Sequence, residues 1–161
     1  NANNNSYQFN VTIPRPDFVI RDIRIAYEPE TLAPGDNPAS AYYVYVTIAN
    51  NGNGVNVNIN GDNSDDLRVI VRYVDKNGRK SASGVSVREP EYYLAKGYTK
   101  VIRTNFGAAI VPAGNITATA YIDSLQDPYA VSHFVESNEN NNTLTRSFII
   151  PTVLGSKIYK K

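Results

Sequence analysis

Leu67-Arg68-Val69-Ile70-Val71-Arg72-Tyr73-Val74-Asp75-Lys76-Asn77-Gly78 carries the clearest structural signal in the chain. Val69, Val71 and Tyr73 fall on one side of an extended chain and Arg68 and Arg72 on the other. β-branched and aromatic side chains suit a pleated surface. Asp75-Lys76-Asn77-Gly78 then closes the run, and Asn-Gly supplies the positive backbone angles of a tight hairpin turn. The stretch predicts a strand that turns back on itself.

The same period of two recurs on both sides of this stretch. Phe18-Val19-Ile20-Arg21-Asp22-Ile23-Arg24-Ile25 settles into alternation, and Tyr42-Tyr43-Val44-Tyr45-Val46-Thr47-Ile48 has the composition of a central strand. Further strands are predicted at Lys100–Thr104, Asn115–Asp123 and Thr143–Ile150. Pro34-Gly35, Lys96-Gly97 and Pro112-Ala113-Gly114 between them are turn chemistry. No segment sustains a helical period. About seven strands separated by turns predict an all-β, two-sheet antiparallel sandwich. The Gly- and Asn-rich stretch Asn50–Asp66 reads either as a long loop or as a loosely paired hairpin.

The chain has 161 residues, enough for one domain with a sizeable core, and 42% of them are hydrophobic. Its 16 basic and 15 acidic residues leave a net charge of +1, which gives no electrostatic reason to expect nucleic acid. No apolar run approaches the roughly 18 residues of a membrane span. Cys is absent, which excludes disulfides and thiolate metal sites. Met is absent too, and the start Asn1-Ala2-Asn3-Asn4-Asn5 reads as a mature end left by signal-peptide removal. The expected location is therefore secreted, extracellular or at a cell surface. Four Asn-x-Ser/Thr tripeptides, at Asn4, Asn10, Asn115 and Asn141, are candidate glycosylation sites in such a compartment.

Catalytic chemistry finds little to work with. His133 is the only imidazole, no thiol is present, and no Gly-rich phosphate loop leads into a helix. The expectation is that the chain is not an enzyme and requires no cofactor. Two stretches concentrate the oxygen donors that Ca²⁺ prefers. One is Asp62, Asp65 and Asp66; the other is Asp123 with Glu136, Asn138, Glu139 and Asn141. The competing reading, which takes precedence, is a solvated acidic loop in the first and side chains bonding their own backbone as Asx turns in the second.

The order of these motifs resembles that of CARDB domains, the cell-adhesion-related domains of bacteria and archaea. Asp17-Phe18-Val19-Ile20-Arg21-Asp22-Ile23 is similar to their opening strand, and Val46-Thr47-Ile48-Ala49-Asn50-Asn51-Gly52 to their second. Leu94-Ala95-Lys96-Gly97 resembles a following turn, and Gly114–Asp123 a late strand. Glu136-Ser137-Asn138-Glu139-Asn140-Asn141-Asn142, the most specific match, resembles the closing turn. The resemblance covers about Pro16 to Pro151 and implies a seven-stranded, immunoglobulin-like sandwich used outside the cell. Asn51–Asp66 is longer than the usual connection, and both ends carry extra segments.

The division that follows is an arm with a proline linker (1–16), the sandwich (17–151) and an extension (152–161). In the arm, Tyr7, Phe9, Val11 and Ile13 alternate with Gln8, Asn10 and Thr12, the pattern of a strand with one apolar face. Pro14-Arg15-Pro16 stiffens the link to the next strand. A surplus amphipathic strand resembles the donor strands of extracellular pili and archaeal surface filaments, where one subunit completes its neighbour's sandwich. The reading is a structural subunit partnered by other copies of itself. The alternatives are an arm folded back on its own sheet, and a monomeric adhesion or carbohydrate-binding module.

Overall fold

The computed structural model describes residues 12–56, 67–87, 93–106, 113–123 and 134–151. They form nine strands: β1 (Phe18–Tyr27), β2 (Tyr42–Asn50), β3 (Val55–Asn56), β4 (Arg68–Asp75), β5 (Lys80–Ser86), β6 (Tyr93–Leu94), β7 (Thr99–Asn105), β8 (Gly114–Ile122) and β9 (Thr143–Ile150). Two short 3-10 turns, Pro29–Thr31 and Pro38–Ala41, each begin with a proline whose missing N–H would have had no partner there. Seven strands make two facing sheets, ordered β1-β2-β7 and β5-β4-β8-β9, and every pairing is antiparallel. β3 and β6 form a two-stranded ribbon beside them. This is an immunoglobulin-like β-sandwich.

The alternation dictates the core. Val44, Val46 and Ile48 of β2 face Val69, Val71 and Tyr73 of β4 and Ile116, Ala118, Ala120 and Ile122 of β8, all of them buried. Burial of such side chains is worth about 1.5–3 kcal/mol each and is the main force holding the sheets together. The Tyr73 hydroxyl is enclosed, sits 3.0 Å from Ser83 Oγ and donates to the Asn105 carbonyl at 3.1 Å, tying the edge of one sheet to that of the other. Burial pushes its phenol upward.

The β4–β5 hairpin forms as predicted, with one difference: Gly78 has φ +75 and Asn77 stays at negative φ. Asp75 explains the change. Its carboxylate accepts the N–H groups of Asn77 and Arg79 and holds the loop from inside. The Asn50–Asp66 stretch does not pair with itself in its described part; Val55–Asn56 pairs with β6 instead. β5 and β7 each have one hydrogen-bonded neighbour among the described residues, and a shallow groove bounded by Ser83, Gly84, Val85 and Thr104 runs between them.

Candidate functional site

One end of the sandwich gathers polar side chains that the strand pattern does not require. β2 ends there on Asn50, which is fully buried. Its Oδ1 accepts the N–H groups of Asp17 (3.0 Å) and Gly52 (3.1 Å), and its Nδ2 donates to the carbonyls of Asn53 (2.8 Å) and Leu94 (3.0 Å). Every hydrogen-bonding position of the amide is used. The Asn50 carbonyl accepts Gly97 N–H at 2.7 Å from the Leu94–Gly97 turn, where Gly97 takes φ +83.

These bonds converge on the root of the N-terminal arm. The Arg15 carbonyl accepts Asn53 N–H at 2.9 Å, the Pro16 carbonyl Ser137 N–H at 2.9 Å, and the Asp17 carbonyl Asn51 N–H at 2.8 Å. Gly52 packs against the same stretch so closely that a Cβ there would lie 2.5 Å from Asp17 N and 2.6 Å from Arg15 O. Two proline rings leave the root few backbone donors, so its carbonyls and the N–H groups of Asp17 and Phe18 carry the attachment.

The closing turn completes the clamp. Phe18 N–H donates to Glu136 Oε2, and Asn142 Nδ2 donates both to Glu136 Oε1 (2.6 Å) and to the Asp123 carbonyl (3.2 Å). Asn141 Nδ2 donates to Asp17 Oδ1 at 2.8 Å. Phe134 N–H donates to Asp123 Oδ2 at 3.2 Å, where Asp123 leaves β8 with φ +40, the one non-glycine in the left-handed region among the described residues. Asn and Asp reach that region more readily than other side chains. Beneath the turn Phe18 and Phe134 meet edge to face, 5.4 Å apart.

Asp123, Glu136 and Asn142 are buried. Burial, reinforced by the Asp123 and Glu139 charges, pushes the Glu136 carboxyl up to about 8, although the N–H groups of Phe18 and Asn142 pull the other way. The folded chain therefore holds a proton that the unfolded chain releases. This stabilisation is complete below about pH 4.5 and is lost as pH rises through about 8. In calcium-free buffer the melting temperature of the native chain is expected to fall relative to Glu136→Gln across that interval. Parallel melting curves for the two proteins would refute it.

Two oxygens of the cluster, Oδ1 of Asn141 and of Asn142, are enclosed with no hydrogen-bond partner. A buried acceptor left so costs about 1–3 kcal/mol. Among the described residues no three His, Asp or Glu side chains converge as a metal-ligating group.

The residues singled out in the sequence divide as follows. Asp123, Glu136, Asn138, Glu139 and Asn141 lie together in or beside the closing turn. Asn138 and Glu139 are exposed and accept the N–H groups of Asn140 and Glu136, as the Asx-turn reading expected. Asp62, Asp65 and Asp66, the arm residues Tyr7, Phe9 and Val11, the sequons Asn4 and Asn10, and His133 all lie outside the described residues. Ile13 is 67% exposed. Asn115 is exposed on β8, whereas Asn141 commits its amide nitrogen to Asp17. Asp17, Asn50, Gly52 and Asn142 were not singled out by chemistry; the signal was Asn50-Asn51-Gly52 directly after the strand rich in Val and Tyr.

Fold and site together define an immunoglobulin-like sandwich in which Arg15 to Phe18 are clamped by two turns. No protein-family model and no curated protein matches the chain. Among solved structures it is similar to the CARDB domain of the PF1109 protein from Pyrococcus furiosus, crystallised in complex with di-metal ions. The identity is 21% and the TM-score 0.45, covering 85% of this chain and 94% of that one. A solution NMR structure of the same domain gives 19% identity and TM-score 0.46 over 86% and 98% of the two chains. Both are CARDB domains, the family whose motifs the sequence resembles. Among the described residues no helix is long and apolar enough to cross a membrane.

Proposed function

We propose that the chain is a non-catalytic, secreted structural subunit that joins copies of itself into an extracellular filament, tubule or matrix by donating Tyr7–Ile13 to a neighbour. The observation that carries the reading is the arm root. Arg15 to Phe18 are held by two turns and the Glu136 carboxylate, while Ile13, the last apolar residue of the alternating stretch, is 67% exposed. The sandwich thus fixes where the arm leaves and does not cover its final apolar side chain.

The energetics demand a complete strand partner. Burying four apolar side chains contributes roughly 6–12 kcal/mol, while ordering seven residues costs about 7–14 kcal/mol in backbone entropy. Ladder hydrogen bonds must make up the difference. Outer edges such as those of β5 and β7, each bonded on one side only among the described residues, are the kind of backbone that supplies them. Against a carbohydrate-binding reading, the Tyr43 and Tyr45 rings on the outer face of β2 are already stacked by Arg103 and Arg24, 3.5 and 4.0 Å from the ring centres. Asp123 and Glu136 are engaged in holding backbone rather than turned to a substrate.

Deleting residues 1–13 is expected to leave a folded monomer with a near-native melting temperature that forms no polymer by electron microscopy or sedimentation. Assembly of the truncated chain, or its unfolding, would refute intermolecular donation.

A further inference from the structure

The geometry points to a Ca²⁺ site at the clamp, formed by side-chain oxygens of Asp123, Glu136, Asn141 and Asn142. Two independent observations meet there. Asp123 and Glu136 are carboxyl groups at 0% and 4% exposure, close enough for the Asp123 charge to bear on Glu136. Beside them Asn142, 1% exposed, has an amide oxygen without a partner, and so does Asn141. The orientation of the Asn142 amide is not interchangeable, because its nitrogen donates to two acceptors, Glu136 Oε1 and the Asp123 carbonyl. Its oxygen is therefore left as an acceptor without a donor, beside the Asp123 and Glu136 carboxyl groups.

Carboxylates mixed with amide carbonyls are the hard donors Ca²⁺ selects, and its irregular coordination tolerates ligands from loops better than the octahedron of Mg²⁺ does. Two carboxylates are fewer than an all-acid site would hold, so the amides and water supply the remaining positions. Once the cation displaces its proton to solvent, Glu136 keeps a lone pair on each oxygen beyond those taken by Phe18 and Asn142. Asn138 and Glu139, whose bonds belong to the turn, drop out of the ligand set. A cation here would lock the arm root, since Glu136 holds Phe18 and Asn141 holds Asp17.

The test uses the full chain stripped with a chelator. CaCl₂ is titrated by calorimetry, and the melting temperature is read with CaCl₂ or MgCl₂. Saturable heat and a raised melting temperature with Ca²⁺, weaker with Mg²⁺, are expected. Asp123→Asn and Asn141→Ala are each expected to weaken Ca²⁺ binding about tenfold or more. Asn141 is only half-buried, so its variant serves should Asp123→Asn fail to fold. No heat and no melting shift at millimolar Ca²⁺ would overturn the site, leaving the orphaned oxygens to buried water. Native-like binding in the folded variants would also overturn it, by placing the ion elsewhere, as at Asp62, Asp65 and Asp66.

Discussion

Gly52→Ala is expected to destabilise the chain by about 3 kcal/mol or more and to weaken the proposed assembly beyond what that loss explains. The obstacle is steric rather than conformational. A Cβ at Gly52 would stand 2.5 Å from Asp17 N and from Pro16 C and 2.6 Å from Arg15 O, all backbone atoms with no rotamer to yield. Overpacking alone costs about 1–3 kcal/mol. Here the displacement also strains the bonds from Asn51 and Asn53 to the arm root, and that from Asp17 N–H to Asn50, each worth about 1 kcal/mol. Urea unfolding measures the first effect. Polymer yield at a temperature where the variant is still folded measures the second. Native stability would mean that the contact is looser than described. Lost stability with native polymer yield would mean that the root does not aim the arm.

Asn50→Ala is expected to cost about 3–5 kcal/mol, the largest single effect at the site. The substitution leaves two N–H groups, of Asp17 and Gly52, and two carbonyls, of Asn53 and Leu94, without their partner in a fully buried position. Each unsatisfied buried group costs about 1–3 kcal/mol, and partial entry of water into the space of the lost amide keeps the sum below four full penalties. The midpoint of denaturant unfolding should fall with little change in slope, since the surface exposed on unfolding is nearly the same. Asn50→Asp should also be costly. It keeps an acceptor for the two N–H groups but sets a carboxylate against the Asn53 and Leu94 carbonyls. A loss below about 1 kcal/mol for Asn50→Ala would place the side chain among ordinary surface changes and refute its role as the junction of the clamp.

The strands were legible where their own residues repeat with a period of two. Tyr42–Ile48, Leu67–Val74 and Thr143–Ile150 fall within or at the edges of β2, β4 and β9 because one face of each is apolar. β5, Lys-Ser-Ala-Ser-Gly-Val-Ser, was announced only by the turn before it and not by its own residues, for the complementary reason. An edge strand of small and polar residues has no apolar face to announce it, and only pairing with β4 makes it a strand. The Asn-Gly turn was placed correctly, yet its angles were not legible, because Asp75 reaches into the loop and Gly78 alone adopts positive φ.

The same division holds for the site. Local sequence determined that this is an all-β chain, that turn residues follow Asn50 and Glu136, and that an amphipathic stretch precedes two prolines. Tertiary structure alone decided that these three features meet. Asn50 lies 33 residues from Asp17, and Glu136 lies 118 residues from Phe18. No local pattern encodes contacts at such separations. They exist because packing β1 beside β2, and across from β8 and β9, brings the start of one strand against the ends of two others. Burial at that junction turned ordinary turn-forming Asn and Glu residues into a clamp, because an enclosed polar group must find a partner.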